Sequence, residues 1–197
     1  MNKKKIFLAS ILMAAMGVAN AASVSLIYTG NNAIDEDGAI RANSGDVLSF
    51  DLVMDFGHQI TLGGGFDVNW DTGGFGNPEY TRANFGDPLF ARDPVVQDGR
   101  LFNGAVGSFD GLTIGTIASI SFTVIGTEGE FGMTPSGTDG DSGPWIDGIL
   151  NWDEPIVPDY NGVTVRVVPA PAAVWFLFSG LAVLFGFRPR QVAASQQ

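Results

Sequence analysis

Val47-Leu48-Ser49-Phe50-Asp51-Leu52-Val53-Met54-Asp55-Phe56 places Leu48, Phe50, Leu52 and Met54 on one side and Ser49, Asp51 and Asp55 on the other. Successive side chains of an extended chain point to opposite faces, so this alternation predicts an antiparallel strand with one face in a core and one in water. The same period recurs on both sides of it. Val24-Ser25-Leu26-Ile27-Tyr28 reads as a strand that stops at Gly30-Asn31-Asn32, and Phe66-Asp67-Val68-Asn69-Trp70 as another, entered through Gly63-Gly64-Gly65. Three glycines in a strand suit a bulge or a close approach of backbones. Residues 113–125 form a long strand with Ile114, Thr116, Ala118, Ile120, Phe122 and Val124 on one face.

Val163-Thr164-Val165-Arg166-Val167 closes the set, with its valines inward and Thr164 and Arg166 outward. Residues 24–28 and 163–167 bracket the domain. Between Asp71 and Gly111 the chain is rich in Gly, Asn, Asp and Pro, with isolated aromatics at Phe75, Tyr80, Phe85, Phe90 and Phe102. That reads as a long excursion with short strands near residues 100–103. Strands bounded by turn signals, with no helical period and no internal repeat, predict an all-β fold: an antiparallel two-sheet sandwich of jelly-roll type.

The order of these elements resembles the cohesin-like β-sandwich family. The residues that carry it are the Gly45-Asp46 turn into 47–53, the Gly64-Gly65-Phe66 entry into a strand ending at Asp71, and Ile117-Ala118-Ser119-Ile120-Ser121-Phe122-Thr123-Val124 before Gly126. The resemblance implies terminal strands, 24–28 and 163–167, that lie side by side or in one sheet, and a noncatalytic module that binds a protein partner, as cohesins dock dockerins, or another surface ligand.

The two ends have other signatures. Lys3, Lys4 and Lys5 precede an apolar run over 6–18, and Ala19 and Ala21 supply the small residues a signal peptidase reads, so 1–21 is a secretory signal peptide. Residues 172–187 contain one polar side chain, Ser179. As a helix they reach about 24 Å against a hydrocarbon core of about 30 Å, short but sufficient with Trp175 at one interface and Arg188 and Arg190 as the cationic stop. Val168-Pro169-Ala170-Pro171-Ala172 before this span resembles the PEP-CTERM sorting signals of the Val-Pro-x-Pro-Ala variant, with Ala170 where the type motif has glutamate. The resemblance implies handling by an exosortase, a membrane protease acting at the proline motif, and delivery to the cell surface or extracellular polysaccharide. The expected organisation is a signal peptide at 1–21, the sandwich at 22–168 and a sorting segment at 169–197, inner-membrane anchored before processing.

Composition bounds the partners. All three lysines leave with the signal peptide, and seven arginines against 21 acids give 7 − 21 = −14. Nucleic acid and anionic lipid are poor partners for that surface. There is no cysteine, so an exported fold must hold without disulfides.

The site candidates are few. Asp139 and Asp141, like Asp35-Glu36-Asp37, could offer oxygens to calcium, though neither run has the EF-hand spacing and solvated turns are the alternative. No other cofactor is expected. Trp145 and Trp152, among Gly, Pro and Asp, suit either a platform for sugar rings or a plug at the sandwich end. Gly140-Asp141-Ser142-Gly143-Pro144 with His58 upstream imitates a serine-protease nucleophile turn, but it lacks the second glycine and reads as a surface turn. The expectation is an exported, noncatalytic protein at the cell surface or in the matrix, binding protein or polysaccharide. The alternatives are a secreted hydrolase of matrix polysaccharide and a purely structural matrix component.

Overall fold

The computed structural model describes residues 22–148 and 155–169. Thirteen strands run in chain order: β1 (Ser23–Tyr28), β2 (Ile40–Ala42), β3 (Val47–Asp55), β4 (Thr61–Trp70), β5 (Phe75–Arg82), β6 (Val95–Gln97), β7 (Arg100–Leu112), β8 (Ile114–Val124), β9 (Gly129–Gly137), β10 (Trp145–Asp147), β11 (Pro155–Ile156), β12 (Asp159–Asn161) and β13 (Val163–Val167). They form two sheets. The smaller has the order β12-β1-β3-β8-β5. In the larger, β4 pairs with β7 along one edge and with β9 and β10 in tandem along the other; β6 extends β7, β11 extends β10, and β13 and β2 extend β9.

The core lies between the sheets. Leu48, Phe50, Leu52 and Met54 of β3 are all buried, and Phe122 sits edge-on to Phe50, Trp70 and Phe75. Burying one such ring contributes roughly 1.5–3 kcal/mol, so this aromatic cluster is a main weld between the sheets. Pairing is antiparallel except for two short parallel pairs, β1 with β12 and β2 with β13.

Three expectations are corrected. The terminal strands are in opposite sheets: β1 pairs β3 and β12, whereas β13 pairs β9 and β2, and the two meet only through the core. The face of β8 is broken by a bulge opposite Leu52 and Val53, where Ala118 and Thr116 are the partners and Ile117 is extra. Ile117 is therefore buried and Ile114 is 59% exposed, although a strict alternation puts Ile114 inside. The stretch read as an excursion holds two full strands, β5 on the edge of the smaller sheet and the thirteen-residue β7 inside the larger.

In β13, Val165 and Val167 are buried, Val163 is partly so, and Thr164 is exposed, as the alternation predicts. Arg166 does face outward, but into carboxylates: it contacts Asp35 at 2.5 Å, Asp37 at 2.7 Å and Glu130 at 2.6 Å. Asp35 also takes Arg41 at 2.7 Å. The Arg166 guanidinium, then the Ala39 N–H, hold the Asp37 carboxyl below its ordinary value. Hydrogen bonds to Asp37, Glu130 and Asp35 in turn push Arg166 up.

Candidate functional site

The outer face of the larger sheet carries an apolar groove, and its floor is made of residues without side chains. Gly63, at φ +127°, lies against the backbone of Val106 and Gly107. Gly64 lies under the Trp145 ring on the core side, where an added Cβ would meet the ring at 2.6 Å. Gly65 lets the 138–143 loop lie on the sheet, donating its N–H to Gly143 O at 2.9 Å. The glycine triplet therefore meets a backbone, an indole and a crossing loop within three residues.

Two walls rise from this floor. The first is β10, tied to β4 by Thr61, whose Oγ1 donates to Ile146 O at 2.7 Å and accepts the Gly63 N–H at 3.0 Å. Ile146 and Pro144 face the groove from it. The second is the turn Pro88–Phe90, capped by Asp87, whose carboxylate accepts the Leu89 N–H at 2.9 Å. The Asp87 N–H donates to Gly107 O at 2.7 Å and docks the turn on β7.

Phe109 completes that wall. Opposite Thr61 and Gly63 the partners on β7 are Leu112 and Gly107, so residues 108–111 bulge out of register. Gly111, at φ +80°, supports the bulge. Phe109 is lifted off the sheet, and its ring stands perpendicular to that of Phe90 with centroids 4.4 Å apart. The groove encloses about 340 Å³ and no charged residue lines it. Phe109 is 75% exposed on this wall, and Leu89, next to Phe90 in the turn, is 83% exposed.

The far end of the same face is polar. Asp67 is buried; its Oδ1 accepts the Asn103 N–H at 2.8 Å, and Arg100 lies 3.4 Å from both Asp67 and Asp139. Arg100 also stacks 4.2 Å above the Phe102 ring. Asp67 thereby satisfies the backbone where β7 turns through Asn103, at φ 63°.

The sequence candidates are distributed as follows. Asp139 pairs with Arg100, and Asp141 is exposed beside it in sequence; no group of three or more His, Asp or Glu suited to a metal exists among the described residues. Trp145 is 1% exposed and packs on Phe56 at 5.1 Å, so it plugs the core and presents no face to a sugar. Its N–H faces the Tyr160 hydroxyl without an ordinary hydrogen bond, while burial pushes the Tyr160 phenol up. Ser142 donates its hydroxyl to Asn103 O at 3.2 Å, and the exposed His58 lies in the turn after β3, so no triad forms. Val168 donates its N–H to Ala42 O at 2.9 Å. Trp152, the cleavage residues Ala19 and Ala21, the remaining motif residues Ala170, Pro171 and Ala172, the span 172–187, and Arg188 and Arg190 lie outside the described residues.

The groove residues Phe90 and Phe109 were not legible as a site. Asp87-Pro88 signals a turn, and Gly107 and Gly111 flank Phe109, but only the β7 bulge and the docking of Asp87 on Gly107 bring them together.

No protein-family model and no curated protein sequence matches the chain. Solved structures do. CaCohA2 of Clostridium acetobutylicum superposes with a TM-score of 0.53 at 12% identity, covering 75% of this chain and 99% of its own in one complex. In solution the figures are 0.53 and 12%, with 76% and 92% covered. A type I cohesin–dockerin complex from Clostridium thermocellum gives 0.51 at 16% identity over 75% of this chain and 95% of its own. The sixth cohesin of scaffoldin B from Acetivibrio cellulolyticus, bound to a dockerin, gives 0.50 at 14% over 75% and 99%. At these identities the likeness is one of fold, and the fold of this chain is a cohesin-like β-sandwich.

Proposed function

We propose that the protein is an exported, noncatalytic binding module, held at the cell surface through its C-terminal segment, that docks a protein partner in the groove between Phe90, Phe109 and Ile146. The observation that carries this is the groove itself: an uncharged cleft with a glycine floor, walled by Phe90, Phe109 and Ile146 and braced by capped and hydrogen-bonded turns. Such a surface gives a partner apolar anchor positions on a preformed backbone, which lowers the ordering cost of association. The similar solved structures include cohesins in complex with dockerins, which supports a protein ligand over a sugar. The burial of Trp145 points the same way.

Delivery to the surface rests on the signal peptide and on the Val168-to-Ala172 motif with its apolar span, handled by an exosortase-type protease. Strand geometry fits display. From Gly63 to Trp70, and across β9 to Val163 and on to Val167, roughly 35 Å of strand separates groove from C-terminal exit at ~3.3 Å per residue. A domain tethered at that exit carries its groove on the far end.

The test is a Leu89→Asp/Phe109→Asp double substitution in the full chain. It should leave export and thermal unfolding unchanged, because both side chains are already in water, and abolish co-purification of the partner from the cell surface. Retention of the same partner would refute the groove.

A further inference from the structure

We infer, on the reading that the groove docks a protein, that its partner is cationic: an apolar anchor segment flanked by lysine or arginine, and not a second copy of this chain. The groove lining itself is uncharged, so the sign of the partner is set by what surrounds it. The described residues hold five arginines against nineteen acids, 5 − 19 = −14. Arg41, Arg82, Arg100 and Arg166 are already paired to carboxylates. Arg92, exposed and two residues past Phe90, exchanges backbone hydrogen bonds with Ala105 of the groove lining and is the one arginine there among the described residues, against the acids that follow.

Acids border the apolar wall directly. Asp110 follows Phe109 on the bulge, Asp141 precedes Ser142, and both are exposed with no cationic partner among the described residues. Asp87 caps the turn that carries Phe90. A negative domain with a neutral cleft attracts a positive segment over about a Debye length, roughly 8–10 Å at ordinary salt, and then holds it by burial of its apolar side chains. The same field opposes self-association, since two domains of charge −14 would have to bring Asp110 and Asp141 of one against those of the other. The groove also lies at the end of the sandwich away from the C-terminal exit, open to a separate protein.

The experiment uses the full chain in a nonionic detergent and three short peptides with one leucine and phenylalanine core, flanked by lysines, by glutamines or by glutamates. The lysine peptide should bind at least about tenfold more tightly than the glutamine peptide at low salt, with the gap closing near ~0.5 M salt. Phe109→Asp supplies the decisive arm. It adds negative charge while removing an apolar wall, so adsorption to an acidic surface would strengthen, whereas docking in the groove weakens. Weaker binding of the lysine peptide to Phe109→Asp supports the inference. Equal affinity for lysine and glutamine peptides, with binding still lost in Phe109→Asp, overturns the cationic partner but leaves the groove as a docking site. Binding of every peptide unaffected or strengthened by Phe109→Asp overturns both. Sedimentation as a dimer that Phe109→Asp converts to a monomer would assign the groove to a second copy and overturn the inference.

Discussion

Gly64 has no side chain because the Trp145 indole occupies the place where one would go. Gly64→Val should therefore destabilise the domain by roughly 1–3 kcal/mol through overpacking, seen as a lower midpoint in thermal or denaturant unfolding. An unchanged midpoint would mean that the indole can move aside. Neighbouring positions on β13 differ in kind. Val165→Asp places a charge without a partner in the core and should cost about 3 kcal/mol or more. Arg166→Ser removes the cation that Asp37 and Glu130 share, so it should lower the melting temperature, and by less in ~1 M salt, where screening already weakens those pairs. The inward face of Val165 was legible from alternation, whereas the partners of Arg166 come from β9 and from the loop before β2, more than a hundred residues away for Asp35 and Asp37. Tyr80 adds a pH dependence: burial, with Asp93 nearby, pushes its phenol up to about 12. Above about pH 10 the unfolded chain releases that proton and the folded chain keeps it, so stability is intact below 10 and falls as pH rises towards 12. In an absorbance titration of the three tyrosines, Tyr80→Phe should delete the step near 12.

At the scale of elements, legibility followed regularity. β3 and β13 alternate without interruption and were read nearly to the residue, and β1 was read one residue short. β5 and β7 were not, because Asn77 and Asn103 adopt positive φ inside them and Gly104, Gly107 and Gly111 dilute the pattern that marks a strand. β9 carries Pro135 and three glycines, and β10, β11 and β12 have two or three residues each, too few to show a period. The bulge in β8 has the sharpest consequence. Ile117→Asp should destabilise by several kcal/mol, and Ile114→Asp should stay within about 0.5 kcal/mol of the parent, since Ile114 stands in water. The reverse order in chemical denaturation would restore the unbroken alternation and remove the bulge. The groove is itself built from irregularities, the 108–111 bulge and the glycine triplet, which is why strand periodicity could not reveal it.

For the whole molecule, β1 and β13 occupy opposite sheets, so the two ends of the domain are joined through the core. A pull on the C-terminal exit loads β9 and β2 directly, and reaches β1 through β12, which pairs with it and ends one residue before β13, as well as by packing. Deleting 172–197 should release a soluble sandwich into the periplasm or medium, and continued membrane fractionation of that chain would remove the anchoring account. The central claim, that the groove side of an exported sandwich meets a protein, is tested most directly by a photo-crosslinking amino acid placed at Phe109 of the full chain in living cells. Ser49, exposed on the outer face of the other sheet, is the control position. The account predicts one discrete protein adduct from position 109 and none from position 49. No adduct from 109, or the same adduct from both positions, would contradict it.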